Sequence, residues 1–237
     1  MNNAGYTTLT RQSGLNREMS VLANNIANAQ TTGFRQEGIT FTEFIKTAEG
    51  AESLSMGVAN VQTTSFTQGA LTQTNGAFDM AIEGSGFFMV QTPNGERLTR
   101  AGSFVANAEG DLVTLEGHLV MDAGGAPIFI PPDVEGVDIS ADGTFSVDGR
   151  PIAQIGLFEP INPRDLKRES GVLMEAPDGT EPMVDGRVLQ GFLEGSNVNP
   201  IGQLTRMIEV QRAYEMGQSF SDAEDERIRN AVKSLVR

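Results

Sequence analysis

Cysteine is absent from the 237 residues, which excludes disulfides, thiolate nucleophiles and cysteine-ligated zinc or iron–sulfur sites. The absence suits an exported protein in an oxidising space, although many cytosolic proteins share it. Histidine occurs once, at His118, so a multi-histidine metal site is also excluded. Basic residues are few, with Lys+Arg 17 against Asp+Glu 31 and a formal net charge of -14. That balance opposes net attraction to nucleic acid or an anionic membrane surface, and no basic block with interleaved aromatics offsets it. No stretch approaches the roughly 20 apolar residues of a membrane span, so no membrane insertion is expected. The segment from Met1 to Asn28 lacks a basic start followed by a continuous apolar run. No cleaved signal peptide is therefore expected, and any export route would leave the N-terminus intact.

Motifs for chemistry are equally scarce. His118 lies between Gly117 and Leu119 in an expected strand, with no recognisable nucleophile or carboxylate partner. Gly84-Ser85-Gly86 precedes a strand instead of joining a strand to a helix, and no Walker lysine follows it. Asp138, Asp142 and Asp148 fail the calcium-loop spacing and its closing glutamate. The many acids offer no preferred pair for glycoside hydrolysis. The residues imply no catalytic, cofactor-binding or metal site, and no enzyme.

Apolar residues make up 39% of the chain, enough for a real core. Two helical stripes stand at its ends. Leu15, Met19, Leu22 and Ile26 are spaced four, three and four apart, which predicts a helix from Tyr6 to about Ala27. Asn24, Asn25 and Asn28 follow the stripe, and their amides can hydrogen-bond backbone and neighbouring chains. Gly33 is the expected left-handed residue ending this element. At the other end, Asn199 can cap a helix and Pro200 suits its first position. From Ile201 to Arg237 there is no further proline, and only Gly202 and Gly217 interrupt with glycine. An unbroken helix there would reach roughly 55 Å, too long for one small globule to cover. Leu204, Ile208 and Gln211 mark one seam, Ile228, Val232 and Leu235 another, and Tyr214 adds to the apolar set. The polar faces from Ser221 to Arg227 allow a break or a change of partner.

The simplest arrangement pairs the two terminal helices and leaves the middle as an insertion. The expected fold class is α+β, with paired N- and C-terminal helices and an inserted antiparallel β-rich domain. The expected divisions are 1–33 with 196–237 as a helical assembly domain, 34–74 as an extended connector, and 75–195 as the β-rich insertion. The connector holds a brief cluster of Ile39, Phe41, Phe44 and Ile45 and a small polar run from Ala48 to Gly57. In the insertion, Phe87-Phe88-Met89-Val90 reads as a buried strand and Pro93-Asn94-Gly95-Glu96 as a hairpin turn. Strands are expected at Leu112–Leu115, His118–Met121, Pro127–Ile130, Val137–Ser140, Thr144–Val147, Ile152–Phe158 and Val188–Phe192. One helical turn is expected within Pro163–Glu169, and turns at Pro177-Asp178-Gly179 and Asp185-Gly186. An adhesive binding module would account for the strands but not for two terminal stripes. A self-assembling structural protein accounts for both.

The run from Ala23 to Phe34, Ala-Asn-Asn-Ile-Ala-Asn-Ala-Gln-Thr-Thr-Gly-Phe, resembles the N-terminal signature of the flagellar basal-body rod and hook family. Glu194-Gly195-Ser196-Asn197-Val198-Asn199-Pro200 and the later Ile208–Glu215 run resemble its C-terminal signature. Ala81–Phe88 and Arg97–Phe104 are similar to the shared domain of its larger members. Arg35 and Gln30 depart from the lysine and asparagine common in the family, and both keep polar chemistry. The opening Tyr6–Gly14 and the modest length are more similar to a proximal-rod than to a distal-rod or hook subunit.

The resemblance implies a structural part of the flagellar drive shaft, within the periplasm and without cofactor. It implies export by the flagellar type III apparatus and partnership with other rod proteins and copies of itself. The assembly interface is expected at Leu15, Met19, Leu22, Asn25, Ile26, Asn28, Leu204, Ile208, Gln211 and Tyr214. Because His118 has no chemical partner in this reading, His118→Ala is expected to leave swimming speed and rod assembly at wild-type levels. Lost motility with normal incorporation into basal bodies would contradict it.

Overall fold

The two terminal stripes each give one helix. In the computed structural model, which describes residues 3–46, 54–131, 136–183 and 186–235, α1 spans Asn3–Ala27 and α2 spans Pro200–Leu235. The start of α2 follows from its sequence. The Asn199 side chain accepts a hydrogen bond from the Gly202 N–H at 3.1 Å. Its carbonyl accepts from the Gln203 N–H at 3.0 Å. Pro200 sits where a helix needs no N–H. The polar faces around Ser221–Arg227 do not break the helix. Arg227 pairs with Glu224 and Arg229 with Asp225 one turn away, as on any solvated helix face.

Between the helices the chain is β-rich, and the strand pairings described are antiparallel. Glu37–Lys46 pairs with Leu54–Thr64. The largest sheet is built on Phe87–Thr92, which pairs with Gly95–Thr99 across the expected Pro93-Asn94 turn and with Leu119–Val120 on its other side. It runs on through Leu112–Thr114 to Phe104–Ala106 at one edge and through Leu173–Glu175 to Lys167–Ser170 at the other. Met80–Glu83 pairs with Arg187–Gln190, and Leu71–Gln73 with Phe192–Glu194.

The unbroken apolar run at Phe87 has a physical cause. Successive side chains of a strand point to opposite faces. Phe88 and Val90 enter one core with Met80, Ile82, Phe104 and Phe145. Phe87 and Met89 enter a second core with Leu98, Met121 and Met174. Both faces are covered, so neither can be polar.

Several expected strands are divided or lost. Ile152–Phe158 is two strands, Arg150–Gln154 and Leu157–Pro160, because the chain changes sheets between them. Val188–Phe192 is split at Gly191, whose φ of 73° turns the chain out of one pairing and into another. Pro127–Ile130 makes only the bridges Met121↔Pro127 and Asp111↔Phe129, since Pro127 has no N–H for a ladder. The turn expected in Pro163–Glu169 is a 3-10 helix, Pro163–Asp165, capped by Asn162 and followed by a strand. Residues 48–53 of the small polar run, Asp185, and the side chains of Phe44, Ile45 and Leu235 lie outside what is described.

The chain divides into two units: Met1–Ala27, Glu37–Thr63 and Asn199–Arg237 form one, and Asn28–Gln36 with Thr64–Val198 the other. Gly33 in the second unit is left-handed as expected, with φ of 69°. It does not end α1, which stops at Ala27. Its role is close approach: a Cβ there would lie 2.2 Å from the Ala101 backbone nitrogen. Gly33→Ala is expected to destabilise the second unit by about 3 kcal/mol or more, combining backbone strain with a clash against fixed main chain. Thermal unfolding followed by near-ultraviolet circular dichroism checks this, and an unchanged midpoint would contradict it.

Candidate functional site

Helix α1 meets α2 along the expected N-terminal stripe. Leu15 and Leu22 are buried against Val210, with Met19, Met207, Ala213 and Tyr214 packed around them. The pairing is antiparallel. Asn25 donates to the Gln203 Oε1 at 3.1 Å, Glu18 pairs with Arg206 at 2.7 Å, and Gln12 donates to the Gln218 Oε1 at 3.3 Å. Gly217 faces the Gln12 side chain across the pair, where an added Cβ would make ordinary contact at 3.5 Å.

Asn25 is fully buried at 0% exposure. Its Oδ1 accepts from the Glu37 N–H at 2.9 Å and its Nδ2 donates to the Glu37 carbonyl at 2.7 Å. The amide thus replaces a neighbouring strand for one residue of backbone, satisfying both of its polar groups. Ile26 is half-buried. Asn28 shapes the turn after α1, its Oδ1 and carbonyl each accepting from Thr31 at 3.1 Å.

The C-terminal residues of the expected interface do not all share one face. Tyr214 packs toward α1, whereas Leu204 and Ile208 are 48% and 51% exposed. Gln211 is exposed too, and donates to Glu215 one turn along. The α1-facing seam runs instead through Met207, Val210 and Tyr214. At about 100° per residue, Ile201, Leu204, Ile208 and Met216 fall on the side opposite Val210. All four are exposed. Helix α2 therefore carries two apolar stripes, and α1 covers only one. Ile228 and Val232 continue the covered stripe toward the C-terminus and are also exposed. The register set by Gln12 and Gln218 puts them past the first described residue of α1.

Sequence reasoning did not single out the charged cluster in the second unit. Arg35 and Arg100, each 2% exposed, flank Glu194, which is 1% exposed. Arg35 Nη2 lies 3.1 Å from Glu194 Oε1, and Arg100 Nη1 lies 3.0 Å from Oε2. Two cations share one anion, so carbonyl oxygens take up the excess. Arg35 donates to the Phe66 and Thr67 carbonyls. Arg100 donates to those of Ile82 and Gly84. Glu194 also accepts from the Gly69 N–H at 2.9 Å, while its own carbonyl accepts from the Gly33 N–H at 2.7 Å. Arg100 stacks on the Phe87 ring at 5.4 Å, and Arg168 on the Phe34 ring at 4.3 Å. Burial pulls the Arg100 guanidinium down to about 10, with Glu194 acting in the opposite sense. Burial likewise lowers Arg35. The signal in the sequence was three charges inside glycine-rich or apolar runs, at Gly33-Phe34-Arg35, Arg100-Ala101-Gly102 and Leu193-Glu194-Gly195.

Among the described residues, no group of three or more metal-ligating side chains occurs, and no helix is long and apolar enough to cross a membrane. The arrangement is one for holding chain segments and presenting apolar helix surface.

Comparison with known proteins accords with that chemistry. Residues 6–35 match the family model described as flagella basal body rod protein. Residues 81–147 match the flagellar hook protein FlgE/F/G D1 domain, and 189–234 the flagellar basal body rod FlgEFG protein C-terminal model. The flagellar basal-body rod protein FlgF of Caulobacter vibrioides is 40% identical over 99% of this chain and 98% of its own length. FlgF of Mesorhizobium japonicum is 36% identical over 99% and 98%. The flagellar basal-body rod protein FlgG of Bacillus subtilis is 30% identical over 96% and 97%.

The charge cluster generates its own test. Removing the single carboxylate strands two buried cations, a change that typically costs about 3–5 kcal/mol. Glu194→Gln is expected to lower the unfolding midpoint of the purified chain by roughly 10 °C. A midpoint within about 2 °C of wild type would show that the carbonyls alone satisfy both guanidiniums.

Proposed function

The chain belongs to the flagellar basal-body rod protein family, and from that premise we propose that this structural rod subunit occupies the proximal rod and transmits torque there. Higher identity to FlgF than to FlgG relatives supports the proximal position. The subunit has no catalytic role in this reading. Its partners are other rod proteins and further copies of itself, and it reaches the periplasm through the flagellar type III export apparatus.

One observation carries the reading: α2 has a second apolar stripe that the described residues of its own chain leave exposed. Ile201, Leu204, Ile208 and Met216 lie in water in the single chain, at exposures between 48% and 76%. Each large apolar side chain gains roughly 1.5–3 kcal/mol when fully buried. Covering such a stripe by neighbouring copies drives polymerisation, and a heterologous contact generates a helical shaft instead of a closed dimer. Leu15, Met19, Leu22 and Tyr214 support that surface from behind by holding α1 on α2. Leu204 and Ile208 meet the neighbour, and Gln211 lies at its polar margin.

This division separates two substitutions. Ile208→Asp is expected to leave monomer unfolding unchanged and to abolish incorporation into basal bodies, because the carboxylate loses water only on assembly. Leu22→Asp is expected to lower helical content in the monomer itself, since Leu22 is buried there. Circular dichroism of the monomer beside immunoblots of isolated basal bodies reads both. Normal incorporation of Ile208→Asp would remove the second stripe from the interface.

A further inference from the structure

The chain passes between its two units four times, at 27/28, 36/37, 63/64 and 198/199. An extended segment carries tension well and twist poorly unless it is tied to others, because φ and ψ are its soft dihedrals. A torque-bearing subunit gains from tying such strands together. On the side of the second unit, Asn197 does so in front of the buried charge cluster.

Asn197 reaches two other segments that leave this unit. Its Oδ1 accepts from the Gln36 N–H at 2.6 Å. Its Nδ2 donates to the Thr67 carbonyl at 2.7 Å and to the Ser65 carbonyl at 3.3 Å. Its backbone N–H donates to the Phe34 carbonyl at 3.3 Å, and the Ser65 N–H donates to the Gln36 carbonyl at 2.8 Å. Residues 34–36, 65–67 and 197 thus form one cross-linked bundle within two residues of three of the four crossings. The buried cluster anchors the same segments from behind. Arg35 holds the Phe66 and Thr67 carbonyls, and Glu194 holds the Gly69 N–H.

We propose that Asn197 is a torsional staple, which makes the segment leading into α2 turn together with the paired strands that leave the β-rich unit at 36/37 and 63/64. The proposal rests on the rod reading for its purpose, but its geometry is independent of that reading. Pairing of Glu37–Lys46 with Leu54–Thr64 already ties two of these segments to each other, and Asn197 adds the third, the one that leads into α2. The amide is suited to the task because it presents an acceptor to one segment and a donor to another. Asn197 is a positioning residue: it acts through the backbone of its neighbours.

The test uses the full chain with two variants. Asn197→Ala is expected to raise amide exchange at residues 34–36 and 64–67 about tenfold or more, with Phe87–Thr92 unchanged. Asn197→Asp keeps the acceptor for Gln36 and sets a carboxylate against the Ser65 and Thr67 carbonyls. It is expected to loosen 64–67 alone. In cells, both variants are expected in basal bodies at wild-type amounts, with normal swimming in dilute medium and at least a twofold loss of speed in viscous medium. Three results would overturn the staple: unchanged exchange in both segments, faster exchange that spreads through Phe87–Thr92, or wild-type speed in viscous medium despite loosened segments. If Asn197→Ala does not fold, Asn197→Asp carries the test, and failure of both to fold makes Asn197 a core residue and overturns the proposal. Absence of the wild-type chain from basal bodies would overturn the rod reading while leaving the exchange result intact.

Discussion

A single carboxylate buried between two guanidiniums fixes how three distant stretches of this chain meet. Glu194 draws Arg35 and Arg100 together, and each arginine uses further N–H groups on backbone carbonyls, Arg35 on those of Phe66 and Thr67 and Arg100 on those of Ile82 and Gly84. Burying three charges is costly, and the attraction offsets it only when geometry and hydrogen bonds are good. The segments at Phe66–Thr67 and Ile82–Gly84 must therefore keep the conformations that bring their oxygens to the cations. Even so, Arg35 Nε and Arg100 Nε have no hydrogen-bond partner. The cluster favours one arrangement of the segments over others more than it adds net stability.

Amide side chains extend the same logic where charge would be too expensive. Asn25 in the helical unit satisfies both backbone groups of Glu37. Asn197 in the β-rich unit serves several residues at once, accepting from the Gln36 N–H and donating to the Ser65 and Thr67 carbonyls. In both places the amide meets backbone groups at the end of a strand pair, and buried backbone must be satisfied by something. Asparagine offers a donor and an acceptor on a short stem with little entropy to lose.

Much of this was legible in the sequence. Helix α1 followed from apolar spacing, α2 from its cap and its lack of proline, and the antiparallel middle from closely spaced turns. The stripe Leu15–Met19–Leu22 was legible because α1 has one apolar face. Its counterpart on α2 was not, because that helix has two, and spacing alone does not say which one α1 takes. Leu204 and Ile208 were as good a choice as Met207 and Val210 until packing distinguished them. The charge cluster was hidden for a different reason. Arg100 and Glu194 lie 94 residues apart, and nothing local marks a charge as buried. The division of Val188–Phe192 at Gly191 was hidden because a glycine in a strand reads equally as a bulge, a bend or an ordinary weak point.

The helical unit joins residues very far apart along the chain: Asn25 and Gln203 are separated by 178 positions, Gln12 and Gln218 by 206. Closing loops of that size from an unfolded coil is entropically costly and slow. The β-rich unit removes most of that loop. Once it has formed, residues 36, 65 and 197 are already neighbours, and the helices are joined through a short tether instead of a long coil. The connectivity thus lowers the entropic cost of pairing α1 with α2 once the sheet is in place. The β-rich middle therefore shortens the tether on which the pairing of the two terminal helices depends.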